Sequence, residues 1–180
     1  MAIVSTRNLA VAVFLVSGLC GLAYAAQRSD ITASQRIQGF DCASGPVWHF
    51  DGGKLNSCKL AHDTRIGDYT VPADSWIRLR ADGTVEFVML AHAARIGGVI
   101  CRGNGPEGFS TALHPNGKLK ECWPEGDQIV QGVPCRGANF LSSMSSRTSV
   151  KFFDSGRFRG CVLSADYKTF KQGDGLLMPD

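Results

Sequence analysis

The sequence predicts an all-β protein, an array of about four antiparallel β-hairpin repeats stapled by disulfides. Three observations carry that expectation. Glycine turns recur between short apolar stretches, and 21 glycines set among such stretches argue against a helical bundle. Four segments repeat one pattern along the chain. Six cysteines recur in step with them.

The chain opens on an export signal. Arg7 is the only charged side chain before Arg28, an apolar run extends from Leu9 to Leu22, and Ala23-Tyr24-Ala25 supplies a small-x-small cleavage site. Residues 1–25 therefore read as a signal peptide, with a mature chain that starts at Ala26 or Gln27 and works in the periplasm or outside the cell. The run falls short of the about 20 apolar residues of a spanning helix, and no second such run predicts a transmembrane segment in the mature chain. Cys20 follows Leu19, which is too large for lipoprotein processing. About 155 residues remain, the size of one ordinary domain. Loss of Arg7 takes the formal charge from +3 to about +2 with both signs scattered, which leaves no footprint for nucleic acid or a strongly anionic membrane.

The four repeating segments are VWHFDGGKLNSCKLAHD, IRLRADGTVEFVMLAHA, TALHPNGKLKECWPEGD and VKFFDSGRFRGCVLSAD. Their glycine anchors are Gly53, Gly83, Gly117 and Gly156, at steps of 30, 34 and 39 residues. Two residues past each anchor stand Leu55, Val85, Leu119 and Phe158, and five past stand Cys58, Val88, Cys122 and Cys161. These inward-looking positions have opposite parity, which predicts a bulge or strong twist in the second strand. Asp82-Gly83 and Asn116-Gly117 suit two-residue hairpin turns. A third strand, such as Thr64–Val71 or Arg95–Cys101, completes each unit.

Cys42, Cys58, Cys101, Cys122, Cys135 and Cys161 remain after processing, and no Cys-x-x-Cys occurs, so an exported chain is expected to pair them as disulfides. Cys101 and Cys135 each lie eighteen residues past an anchor, in Cys-Arg-Gly, and Cys42 holds the comparable place ahead of the first hairpin. In the second unit Val71 and Val88 fill both cysteine places. Two positions that hold cysteine together and lose it together are partners, which predicts Cys42–Cys58, Cys101–Cys122 and Cys135–Cys161.

Residues 26–39 are polar and read as a flexible N-terminal segment before a repeat domain over 40–170, and 171–180 reads as a tail. Residues 138–149 are serine-rich and read as a surface loop.

His114-Pro115-Asn116-Gly117-Lys118-Leu119, followed by Gly126 and Gly132, resembles the bacterial variant of the MORN repeat, which runs aromatic-x-Asn-Gly-Lys-Leu and then two marking glycines. Phe50, Gly53, Lys54 and Leu55 share the pattern, while the second unit, the cysteines and the longer period depart from it. The resemblance implies stacked antiparallel hairpins used as a binding or scaffolding surface, and it brings no catalytic residue.

Gly103-x-Gly105-x-x-Gly108 matches a dinucleotide fingerprint as a string. Pro106 and the strand-like Phe109–Leu113 deny it the helix N-terminus that receives a pyrophosphate, so it reads as a loop and no cofactor is expected. His62 and His92 share one corner nine residues past their anchors, and with Asp63 they form the candidate metal set. No Gly-x-Ser-x-Gly is present, and no catalytic residue is assigned. Trp48, Arg78 and Lys151 stand five residues before their anchors, and Arg65 and Arg95 share a corner, which makes these five the candidate binding face. The function expected is an exported non-enzymatic module presenting a surface to a protein or glycan partner. The alternative is a small hydrolase or metal-dependent enzyme built on the His62/His92 corner.

Overall fold

The computed structural model describes residues 26–103, 109–138 and 148–164. Residues 1–25, read as an export signal, most of the serine-rich stretch, Gly105, Gly108 and residues 171–180, read as a tail, lie outside them. The described residues form strands without a helix: β1 (Gln27–Ile31), β2 (Gln35–Ile37), β3 (Phe40–His49), β4 (Leu55–Leu60), β5 (Thr64–Ile66), β6 (Tyr69–Val71), β7 (Trp76–Leu79), β8 (Val85–Met89), β9 (Ala94–Ile96), β10 (Val99–Cys101), β11 (Ser110–Leu113), β12 (Leu119–Cys122), β13 (Gln128–Val130), β14 (Val133–Cys135), β15 (Val150–Phe152) and β16 (Phe158–Gly160). None of them contains a helix long and apolar enough to cross a membrane.

A 10-stranded antiparallel sheet runs in the order β1-β3-β4-β7-β8-β11-β12-β15-β16, with β2 added to β3. Between successive hairpins of this sheet lie two-stranded ribbons, β5–β6, β9–β10 and β13–β14. Thr64–Val71 and Arg95–Cys101, expected as single strands, are therefore ribbons folded at their middles. Gly97 (φ 55°) and Gly98 (φ 86°) supply the left-handed backbone that such a tight reversal needs. The N-terminal segment also differs from expectation, because it contains β1 and β2. There Ile37 opposes Phe40 as Ile66 opposes Tyr69, Ile96 opposes Val99 and Val130 opposes Val133. Polar side chains concealed these strands, since both face solvent along much of their length and are held by backbone pairing.

The sheet hairpins β3–β4, β7–β8, β11–β12 and β15–β16 turn alike. The N–H of each anchor glycine donates to the carbonyl of Phe50, Arg80, His114 or Phe153 at 2.9–3.0 Å. Positive φ falls on the glycines (78–87°) and not on Asp82 or Asn116. The loops are thus three-residue turns closed by a left-handed glycine, in place of the two-residue turns suggested by Asp-Gly and Asn-Gly. The side chains before glycine brace the turn instead: Asp82 Oδ1 accepts from the Thr84 N–H (2.9 Å) and hydroxyl (2.7 Å), and Asn116 Oδ1 from the Lys118 N–H (3.1 Å). The two Thr84 hydrogen bonds hold the Asp82 carboxyl below its ordinary value.

The expected bulge follows each turn. Trp48 opposes Ser57 but His49 opposes Leu55, which leaves Asn56 as the extra residue, and the register shifts likewise in the other hairpins. The places of Asn56 are taken there by Glu86, Lys120 and Arg159. One added residue lets Leu55 and Cys58 both point inward, as it does Val85 and Val88.

One face of the sheet is the core. Val47, Cys58, Ile77 and Val88 lie in register there, and none is more than 1% exposed. Ile66, Val71, Ile96, Val99, Val130 and Val133 of the ribbons join the same buried cluster, so the ribbons roof this face. Two disulfides tie roof to sheet, Cys101–Cys122 from β10 to β12 and Cys135–Cys161 from β14 to the residue after β16, while Cys42–Cys58 links β3 to β4 within the sheet; all three hold Cα atoms 5.7–5.8 Å apart. These are the pairings that the period predicts, and disulfides of this kind belong to an oxidising environment. Beside the bridges, the N–H groups of Ala61, Glu125 and Ser164 donate to the carbonyls of Asp41, Ile100 and Pro134 at 2.8–3.0 Å. The unbridged unit differs. Val71 and Val88 are buried in the common cluster, but Pro72 has no N–H to continue the pairing, and the Ala91 N–H donates to Ser75 Oγ at 3.0 Å.

Candidate functional site

Among the described residues the opposite face of the sheet carries no roof over β3, β4, β7 and β8, and a groove of about 650 Å³ opens there. Its side chains follow from strand alternation: with Val47, Cys58, Ile77 and Val88 turned to the core, their neighbours turn outward. One cross-strand row reads Arg28, Trp48, Ser57, Arg78, Phe87, Ala112, Glu121, Lys151. A second reads Lys59, Trp76, Met89, Ser110. Ser57 is small and is flanked by Trp48 and Arg78, which is why the surface dips at that point.

The walls are aromatic. Trp48 and Trp76 meet edge to face, with centroids 5.3 Å apart at 64°. Phe87 and Met89 continue the lining, and the Arg78 guanidinium sits 5.5 Å from the Phe87 ring centre. The Arg28 guanidinium lies 5.9 Å from that of Trp48. Polar groups stand among them: Asn56, Ser57 and Asp51 all line the groove. Each neighbouring cation has a carboxylate beside it, with Arg28–Asp30 at 3.2 Å, Arg78–Glu86 at 3.5 Å and Lys59–Asp74 at 2.7 Å.

Three of the five residues named from the sequence, Trp48, Arg78 and Lys151, thus share one row. Lys151 lies beyond the groove, 3.9 Å from Glu121. Arg65 and Arg95 do not share this face. They stand on β5 and β9 of the roof, and their side chains turn back onto their own ribbon turns, donating to the carbonyls of Gly67 (3.1 Å) and Gly98 (3.2 Å). Trp76, Phe87, Met89 and Asn56 were not identified from the sequence. The signal was present, since Trp76-x-Arg78 and Phe87-x-Met89 are the outward partners of core residues one step away.

His62 and His92 are exposed in the bends that follow β4 and β8. Asp63, the third member of the candidate metal set, accepts the Ala73 N–H at 2.8 Å, as Asp127 accepts the Gly137 N–H at 2.7 Å. The carboxylate therefore closes a corner of the chain. Among the described residues no group of three or more His, Cys, Asp or Glu side chains is gathered as a metal site requires. The arrangement on the outer face offers stacking surface and hydrogen-bonding groups, which is chemistry for holding a ligand.

No family model, no curated protein and no solved structure matches this chain.

Proposed function

We propose that this protein is an exported, non-enzymatic binding module, working in the periplasm or outside the cell, whose ligand surface is the outer sheet face around Trp48 and Trp76. The observation that carries the reading is the aromatic groove itself. A sheet that faces water on one side normally alternates apolar-in with polar-out, yet here Trp48, Trp76, Phe87 and Met89 occupy outward positions on three of four neighbouring strands, β3, β7 and β8. Burying indole and phenyl groups on an unroofed face stabilises the fold less than burying them inside, so a ligand is the better account of their placement. The resemblance of residues 114–132 to MORN-type hairpins agrees with a surface-presenting role. The test is affinity capture from envelope extract by the wild-type protein and by Trp48→Ala and Trp76→Ala. Wild type should retain a component and release it chemically unchanged, and both variants should lose it. Equal retention by the variants, or turnover of the component, would overturn the proposal.

A further inference from the structure

We infer that the ligand of this groove is an uncharged oligosaccharide, which deepens the binding-module reading and rests on it. A sugar ring presents C–H faces that are apolar and hydroxyls that are polar, so its site needs aromatic surface with hydrogen-bonding groups alongside. Trp48 and Trp76 supply two indoles 5.3 Å apart, and Asn56 and Ser57 stand among the lining beside them.

Asn56 is the most informative of these. It is the bulge residue of β4, is only 7% exposed, and lines the groove. Its carboxamide makes no hydrogen bond among the described residues. A carboxamide offers two donors and an acceptor, which suits neighbouring hydroxyl groups, and this one opens on the groove with those positions free. A ligand hydroxyl in the groove is placed to take them.

Charge and topology narrow the class. Arg28, Lys59 and Arg78 are each paired with a carboxylate, and Asp51 adds a negative charge to the rim, so the face gives no net attraction to a polyanion. An extended peptide adds to a sheet through an open strand edge. The groove lies instead across β4 and β7, both of which are hydrogen-bonded on each side. From Trp48 to Phe87 the row crosses three strand spacings, about 14 Å. That is the reach of a short chain of sugars.

The experiment titrates the oxidised full-length mature protein with hexamers of β-1,4-glucose, α-1,4-glucose and β-1,4-N-acetylglucosamine. An acidic oligogalacturonate and an apolar decapeptide form the other arms, and tryptophan fluorescence and indole N–H NMR are read. Saturable binding of an uncharged hexamer is expected, with the dissociation constant rising at least tenfold in Trp76→Ala and in Asn56→Ala. Ser57→Trp, which fills the dip from its solvent side, should abolish binding, and it keeps the test valid if a truncation disturbs folding. Stronger binding of the galacturonate or the peptide at the same indoles overturns the ligand class and leaves the binding module standing. Unperturbed Trp48 and Trp76 in every arm overturns both.

Discussion

Gly103 and Gly137 show how little room the corners leave. A Cβ on Gly103 would lie 2.1 Å from the carbonyl carbon of His92, and one on Gly137 would lie 2.3 Å from that of Gly126. The glycine of each Cys-Arg-Gly therefore lets two backbones meet. Gly103→Ala is expected to destabilise the protein by about 1–3 kcal/mol, as overpacking against atoms that cannot swing aside does. Gly160→Ala, with nothing within 4 Å, is expected to change stability by less than about 0.5 kcal/mol. Urea unfolding of the oxidised variants measures both. Tyr69 is a second residue-scale case. Its hydroxyl donates to the Gly117 carbonyl, and burial, with Asp68 nearby, raises its pKa to about 12. The folded state thus holds the phenol proton more tightly than the unfolded chain, so the stability it contributes is complete below pH 10 and is lost as pH rises toward 12. Tyr69→Phe should be less stable at neutral pH by about 0.5–1.5 kcal/mol and should show a shallower decline over that alkaline window.

At the scale of elements, the ribbon β5–β6 and the hairpin β7–β8 lack the bridge that the other units carry, and Pro72 removes the N–H that would extend their pairing. Ser75 repairs the pairing with a side chain: it is fully buried, and its hydroxyl takes the Ala91 N–H. Ser75→Ala leaves that N–H without its partner, so a loss of about 1–3 kcal/mol is expected. Hydrogen exchange should show Ala91 losing protection first, while the backbone bond from Ser164 to Pro134 stays protected. Equal protection of Ala91 in both proteins would show that the hydroxyl does not carry the bond. The ribbons also explain which elements were legible. Repeating glycines and paired cysteines are local signals, so hairpins, bulges and bridges could be read directly. The ribbons were missed as pairs because each is two strands of three residues, too short for alternation to declare itself.

For the whole molecule, the core is a single sheet under a thin roof, and the bridges supply what that core lacks. Loops of 16, 21 and 26 residues are each worth about 3 kcal/mol on the chain-entropy model. Together they amount to about 9 kcal/mol, against about 5–15 kcal/mol for the stability of an ordinary domain. Full reduction in neutral buffer is therefore expected to leave a largely unfolded chain at 37 °C, seen as loss of the β-sheet circular dichroism band and of tryptophan burial. A reduced protein that kept its native spectrum and melting temperature would show that the roof holds without its bridges.

The sequence by itself determined the all-β class, the hairpin anchors, the bulge and the three bridges, because each is enforced by neighbours in the chain or by a period that repeats locally. It also placed Trp48, Arg78 and Lys151 at equivalent positions, since equal distance from a turn becomes a shared row once the hairpins pair. What only the tertiary structure decided was which surfaces face each other. Arg65 and Arg95 went to the roof and Asp63 to a corner hydrogen bond. Trp48 and Trp76, from different hairpins, met across Ser57. A groove is a property of register between strands distant in sequence, set by how the ribbons cover one face and leave the other open. No single stretch of the chain carries that information.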